Sequence, residues 1–185
     1  MFNNLGKTEK PATAFGTATD SGSLPGAGPT VNKGIPSSKK PFYANGLRFS
    51  CIRCSGCCRH ESGFVFLSEK DVSLLGTALN LQAGEFIRTY CRWVPSGNNT
   101  WQLSLREKSN LDCVFWKDGC SVYEKRPLQC RAFPFWHSVI NSGTSWEATA
   151  RDCPGIGKGV LHSPESIEYW LALRGKEPII TKGES

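Results

Sequence analysis

Four cysteines within eight residues constrain this chain more than any other feature of its sequence. Cys51, Cys54 and Cys57 are each separated by two residues, and Cys58 follows directly. A gap of two residues lets the backbone curl so that successive sulfur atoms face one metal ion or cluster. Gly56 is expected to supply the backbone freedom that such a curl requires. The spacing therefore predicts a metal-binding loop rather than four inert buried thiols.

Most of the remaining cysteines lie beside turns, where they are available as partners for this loop. Cys113 and Cys120 bracket a predicted hairpin. Cys130 follows an Arg-Pro turn, and Cys153 precedes a Pro-Gly pair. Eight thiols suffice for two four-cysteine sites or for one site with thiols in reserve, and the two consecutive thiols of the loop seldom bind the same ion. The predicted metal ligands are Cys51, Cys54, Cys57, Cys58, Cys113, Cys120, Cys130 and Cys153.

Two nearby residues are not predicted to bind the metal. Cys91 has no second cysteine at ligand spacing and falls on the inner face of a predicted helix, so it is expected to be a small buried side chain. His60 is interpreted as a surface residue, because enough cysteines are already present. Arg126 and Arg131 are interpreted as donors to backbone carbonyl groups around the centre, with anion binding as the alternative.

The cysteine count also bears on the cellular compartment. Nine cysteines without a recognisable secretion signal indicate reduced thiols rather than a disulfide framework. No apolar run approaches the roughly 18 residues that a membrane-spanning helix needs. The sequence therefore predicts a soluble cytoplasmic protein with no membrane partner.

The first part of the chain differs in composition from the rest. Residues 1–42 are rich in Gly, Pro, Ser, Thr and Ala and are predicted to form a disordered tail. Residues 43–185 are predicted to form one metal-binding domain. Half of the net charge of +6 lies in the tail, which has five lysines against two acidic residues. The domain therefore lacks the concentrated basic surface of a nucleic-acid-binding protein.

The domain is predicted to be a small α+β fold whose irregular loops carry the cysteines. Ser68 has the chemistry of a helix N-cap, and Asp71 completes a capping box. Because continuous apolar sequence is sparse, we expect the metal to supply part of the stability. The predicted elements are helices over 69–79, 83–93 and about 163–175, a strand over 100–106, hairpins centred on 117–119 and 141–143, and a flexible connector over 155–159.

Three motifs carry a resemblance to a known family. After the Cys51–Cys58 loop come a Tyr-x2-Arg-Pro-x2-Cys-Arg-x-Phe-Pro-Phe run over 123–135 and a Cys-Pro-Gly motif that begins at Cys153. Over residues 48–157 the chain resembles the YkgJ-type cysteine-cluster family, described as a zinc- or iron-chelating domain. The resemblance implies a cytoplasmic metal- or iron–sulfur-binding protein. Related clusters occur in flagellin lysine methylases, so kinship with a protein-modifying enzyme is one alternative.

The pattern of the cysteines favours an iron–sulfur cluster over zinc as the cofactor. Three close cysteines and a distant Cys-Pro pair are typical of a four-iron, four-sulfur cluster. The favoured function is electron transfer, redox sensing or cluster-assisted chemistry. The alternative is a zinc-stabilised binding module without a redox role. No acid–base or nucleophile–base pair identifies an enzyme, and no feature identifies a protein partner.

Overall fold

The protein is a mixed α+β domain, as its sequence predicts. A computed structural model describes residues 40–59 and 61–183. His60 and the predicted tail up to residue 39 lie outside the described residues. The described part of the chain contains two small antiparallel sheets and six α-helices. None of these helices combines the length and the apolar character needed to cross a bilayer.

A three-stranded antiparallel sheet forms part of the larger hydrophobic core. Strand β2 (Cys91–Gly97) pairs with β3 (Thr100–Leu105), and β3 also pairs with the later strand β5 (Thr181–Gly183). Asn98 and Asn99 connect β2 to β3 with φ angles of 48° and 53°. Asparagine tolerates this left-handed conformation better than most residues, so the tight turn is encoded locally.

Two helices share the larger core with this sheet. They are α1 (Glu69–Ala78) and α2 (Ala83–Tyr90). The predicted capping box is confirmed, because the Ser68 hydroxyl accepts the N–H of Asp71 and the Asp71 carboxylate accepts the N–H of Ser68. The core consists of Leu67, Val72, Leu75, Phe86, Cys91, Leu103, Leu105, Phe115 and Val122.

A second, smaller core lies next to a two-stranded sheet. Strand β1 (Leu47–Phe49) pairs antiparallel with β4 (Ile156–His162). Helices α4 (His137–Ile140) and α6 (Pro164–Lys176) contribute buried side chains to this core. Its buried members are Tyr43, Phe135, Val139, Ile140 and Ile167.

Two further helices are important because of the cysteines they position. Cys130 lies on the short helix α3 (Leu128–Ala132), and Cys153 directly follows α5 (Gly143–Asp152). The final helix starts after Ser163 and is therefore close to its predicted bounds of about 163–175.

The helix predicted over 83–93 is wrong at its end. It stops at Tyr90, because the residues from Cys91 onward pair with β3 as a strand. The turn predicted around 117–119 is present, but its hairpin is reduced to one isolated bridge between Trp116 and Cys120.

Two predictions in the second half of the domain are also wrong. The hairpin predicted around 141–143 is replaced by helices α4 and α5, since the Ser142 hydroxyl accepts the N–H of Ser145 and starts a helix. The flexible connector predicted over 155–159 is instead the beginning of β4, which is ordered by its pairing with β1.

Candidate metal centre

All eight cysteines predicted as ligands line one cavity of about 880 Å³. The ninth, Cys91, does not line it. Cys91 is only 3% exposed in the larger core, where burial raises the pKa of its thiol to about 12. This position agrees with its predicted role as a small buried side chain. The fold thus brings together thiols from widely separated segments, from Cys51 to Cys153.

The Cys51–Cys58 loop is shaped by two residues in the left-handed region. Arg53 and Ser55 have φ angles of 57° and 64°. A 3₁₀ turn over Gly56–Cys58 follows, in which the Cys58 N–H donates to the carbonyl oxygen of Ser55 at 2.9 Å. Gly56 does not use a left-handed conformation, so the backbone freedom predicted there is needed at its neighbours instead.

Cys58 and Cys113 are joined through their backbones. The N–H of Cys113 donates to the carbonyl oxygen of Cys58 at 2.8 Å. Cys113 and Cys120 each take part in an isolated β-bridge, and Cys130 lies on α3. These four thiols are therefore attached to hydrogen-bonded backbone, and all four are half-buried.

Cys153 reaches the cysteine loop through a close backbone approach. The Ser50 N–H donates to the carbonyl oxygen of Gly155 at 3.3 Å. A methyl group added to Gly155 would lie 2.4 Å from the carbonyl oxygen of Ser50, so only glycine fits at this position. Pairing between β1 and β4 extends the same contact. These contacts place Cys153 beside the Cys51–Cys58 loop, although most of the domain separates the two in the sequence.

Cys57 and Cys58 form a coupled pair of thiols. Their sulfur atoms are 3.7 Å apart, within hydrogen-bond distance for sulfur. A hydrogen bond from Cys58 and the charge of Arg126 help lower the pKa of Cys57 to about 7, while the Cys57 thiolate and burial raise the pKa of Cys58. The thiolate form is therefore favoured at Cys57 and disfavoured at Cys58.

Four further thiols of the cavity have a raised pKa and favour their protonated forms in the absence of metal. Burial is the largest cause, and the negative charges of neighbouring thiolates add to it. The effect is strongest at Cys130, whose pKa lies well above its usual value. Metal binding to these groups must therefore release protons. The thiols with a raised pKa for these reasons are Cys113, Cys120, Cys130 and Cys153.

A tyrosine lies between two arginines at the wall of the cavity. The guanidinium carbon of Arg53 is 4.0 Å from the centre of the Tyr123 ring, and that of Arg126 is 3.6 Å from it. Arg126 Nε also donates to the carbonyl oxygen of Tyr123 at 2.8 Å, and Arg131 Nε donates to the carbonyl oxygen of Arg126 at 2.9 Å. Arg126 and Arg131 therefore donate to backbone carbonyl groups, but to those of their own segment 123–131 rather than to those of the Cys51–Cys58 loop.

The sequence does not predict the contact between Arg53, Tyr123 and Arg126, which we call the three-residue stack. Its members lie in two segments about seventy positions apart, so no local spacing signals the contact. The stack fastens the cysteine loop to the segment that leads into α3, and it holds a positive charge close to the thiols.

A further arginine, Arg59, lines the cavity. The guanidinium carbon of Arg59 is 3.7 Å from the centre of the Trp116 ring, and its Nε is 3.3 Å from the carboxylate of buried Asp112. Arg59 directly follows Cys58. The charge of Arg59 is therefore paired with that of Asp112 beside the cysteine loop.

The eight thiols line one cavity, but their sulfur atoms are not arranged around one metal position. Across residues 40–59 and 61–183, no three side chains of histidine, cysteine, aspartate or glutamate are arranged to hold one metal ion. A cysteine side chain has a single χ1 torsion with three staggered positions, so its sulfur can be redirected without moving the backbone. The donor set itself, eight thiols around one cavity, is the chemistry that zinc and iron–sulfur clusters require.

Comparison with known proteins places this centre within a defined family. Two uncharacterized proteins of Methanocaldococcus jannaschii are each 28% identical to this chain, over 106 and 122 residues. The matched regions cover 56% and 63% of this chain but only 53% and 40% of the two relatives. The chain thus spans about half or less of each of these relatives. No solved structure matched it.

The family model named CxxCxxCC, described as "Putative zinc- or iron-chelating domain", matches residues 50–154. This range contains all eight cavity cysteines, and it supports metal binding by the domain. Since the match extends over more than half of the chain, the protein belongs to the CxxCxxCC family.

Proposed function

We propose that the protein carries an iron–sulfur cluster at Cys51, Cys54, Cys57 and Cys153 and acts in electron transfer or redox sensing. The observation that supports this most directly is the placement of Cys153 beside the Cys51–Cys58 loop by the backbone contact between Ser50 and Gly155. Three ligands close in sequence with one distant ligand are the usual pattern of a four-iron, four-sulfur cluster.

The exposure of the loop thiols supports a redox role. Cys51, Cys54 and Cys57 are all exposed, whereas a purely structural centre is usually enclosed. An exposed cluster lies close enough to the surface to exchange electrons with a partner. The positive charges of Arg53 and Arg126 would offset part of the negative charge of a thiolate-bound cluster.

The cluster would supply one-electron chemistry, and the residues of the chain would bind it and adjust its potential. All nine cysteines are free thiols in the structure. We therefore place the protein in the cytoplasm, where thiols stay reduced. Its electron-exchange partner is proposed to be another protein.

A zinc-stabilised binding module is the second candidate. The family description includes zinc, and the half-buried thiols on hydrogen-bonded backbone resemble the enclosed ligands of structural zinc sites. In this case the exposed loop would bind a partner rather than exchange electrons.

The colour and the elemental content of the protein distinguish the two candidates. The full chain would be purified without oxygen, and its iron, acid-labile sulfide and zinc would be measured per chain. An iron–sulfur protein should be brown, with broad visible absorption that bleaches on reduction by dithionite. A colourless protein that contains zinc and no sulfide would refute the iron–sulfur proposal, and a protein without any metal would refute both candidates.

A further inference from the structure

We infer that the cavity contains a second, separate metal site, a four-thiolate zinc site formed by Cys58, Cys113, Cys120 and Cys130. We refer to these four residues as the inner thiols, and to Cys51, Cys54, Cys57 and Cys153 as the outer thiols. The inference rests on the proposed function to the extent that the cavity binds metal at all. It adds that the eight thiols serve two metal centres of different kinds.

Depth within the protein separates the loop members of the outer set from the inner set, whereas Cys153 is half-buried like the inner thiols. The three loop members of the outer set, Cys51, Cys54 and Cys57, are exposed, while every inner thiol is half-buried. A buried ligand set without an open position is characteristic of a structural zinc site. An exposed set is more accessible to an electron donor or acceptor, or to a partner protein.

Backbone contacts connect the inner thiols to one another. They are joined by the hydrogen bond between Cys113 and Cys58, by the β-bridges of Cys113 and Cys120, and by helix α3 under Cys130. Of the outer thiols, Cys57 shares the 3₁₀ turn of Cys58, and Cys153 follows α5 with its N–H bonded to the carbonyl oxygen of Thr149 at 3.0 Å. A metal that binds the inner set would connect three rigid segments, which is the arrangement that stabilises a fold.

Within the outer set, Cys54 and Cys153 lie near one another. A carbon added to Gly56 would lie 3.8 Å from the Sγ atom of Cys54 and 3.6 Å from the carbonyl oxygen of Asp152, the residue before Cys153. The end of α5 therefore reaches the cysteine loop beside Cys54.

Cys57 lies at the boundary between the two sets. Its sulfur is 3.7 Å from that of Cys58, and both residues belong to the 3₁₀ turn over Gly56–Cys58. We assign it to the outer set because of its exposure and its two-residue spacing from Cys54. Consecutive residues then serve different centres, which explains the presence of two adjacent cysteines at the end of the loop.

Zinc binding at the inner site balances in both atoms and charge. One Zn²⁺ replaces the four thiol protons of Cys58, Cys113, Cys120 and Cys130, forms four zinc–sulfur bonds and leaves a centre with a charge of −2. No electrons are transferred. The guanidinium group of Arg126, which lines the cavity, would offset part of this charge.

Titration of the reduced, metal-free full chain with Co²⁺ tests the inference. Without added sulfide, each four-thiolate set should bind one Co²⁺ with the intense visible absorption of tetrahedral thiolate coordination. The wild type should bind two ions per chain. Cys54→Ser should bind one ion in full tetrathiolate coordination, because only the outer set has lost a ligand. Cys91→Ala, which alters a thiol outside the cavity, should still bind two.

Each outcome supports or overturns the inference. A wild type that binds one ion per chain would refute the second site but leave the proposed function intact, and a wild type that binds none would refute both. Loss of all tetrathiolate coordination in Cys54→Ser would show that the eight thiols form one centre. Because Cys54 is exposed, its replacement leaves the cores intact, and the test does not depend on the folding of inner-thiol variants.

Discussion

The carboxylate of Asp71 accepts a hydrogen bond from the backbone N–H of Leu128 at 2.7 Å, and both residues are fully buried. Asp71 belongs to α1, whereas Leu128 is the first residue of α3, the helix that carries Cys130. One side chain therefore completes the capping box of α1 and fixes the position of a candidate ligand.

Asp71→Ala should destabilise the protein strongly. It leaves the buried N–H groups of Leu128 and Ser68 without an acceptor, and we expect a loss of about 3 kcal/mol in the free energy of unfolding. Urea unfolding followed by circular dichroism would measure this loss. Ser68→Ala removes only the hydroxyl cap and should cost about 1 kcal/mol. Equal losses for the two variants would contradict the role of Asp71 in anchoring α3.

Cys91→Ala should reduce stability slightly without changing the metal content. Its side chain packs in the larger core, and removal of the sulfur should cost about 1 kcal/mol. The matched comparison is Cys54→Ser, which should retain stability better but lose the outer centre. The zinc, iron and sulfide content of both purified variants would show which of them keeps its metal. A loss of metal from Cys91→Ala would show that this thiol is not a bystander.

Arg126→Gln should weaken metal binding. The guanidinium group stacks on Tyr123 and lowers the pKa of Cys57 and Cys120, so its removal destabilises negatively charged sulfur. Loss of a group that supports metal ligands weakens affinity on the order of tenfold or more. Competition with a chromophoric zinc chelator would measure the change. Lys125→Gln, an exposed neighbour, should bind zinc as tightly as the wild type, and equal affinities for all three proteins would refute this role of Arg126.

Gly155→Ala should selectively disrupt the outer centre. The added methyl group would meet the carbonyl oxygen of Ser50 at 2.4 Å and would push Cys153 away from the loop. Cobalt stoichiometry should fall from two ions to one. Gly175→Ala is a suitable control, since nothing lies within 4 Å of the position of its added carbon. Two bound ions in Gly155→Ala would show that Cys153 does not depend on this contact.

Tyr43 should give the protein a pH-dependent part of its stability at alkaline pH. The Tyr43 hydroxyl donates to the carboxylate of Glu168 at 2.5 Å, and this bond together with burial raises its pKa to about 12. A raised pKa means that the contribution is fully present below the unfolded value of about 10 and is lost as the pH rises through the folded value.

Tyr43→Phe should accordingly be less stable than the wild type by about 1 kcal/mol at neutral pH. The difference should shrink between pH 10 and pH 12. Urea unfolding of both proteins across this range would measure it. A difference that stays constant up to pH 12 would show that the hydrogen bond to Glu168 does not control the ionisation of Tyr43.

Local chemistry made several elements predictable. Ser68 and Asp71 mark the start of α1 because a capping box depends on residues only three apart. The start of β2 was missed because the pattern of Phe86, Ile87 and Tyr90 continues naturally into Cys91 as a helix. The two asparagines at 98 and 99 are the local signal of the β2–β3 turn that could have corrected this.

The identity of the cavity cysteines could be predicted, but their division into two sets could not. Ligand spacing at Cys51, Cys54 and Cys57 is a local property of the sequence. The proximity of Cys153 to Cys54 depends instead on the pairing of β1 with β4 across most of the domain. Burial of Cys58 and Cys130 likewise results from packing between distant segments, which no short motif records.

The close contact between Ser50 and Gly155 also affects how a metal would enter the outer site. Closing a long flexible loop costs conformational entropy, and here that cost is part of folding rather than of metal capture. Cys153 is consequently held near the other outer thiols at a high effective concentration, as if tethered by a short linker. Metal binding at the outer site therefore does not have to include the entropic cost of closing this loop.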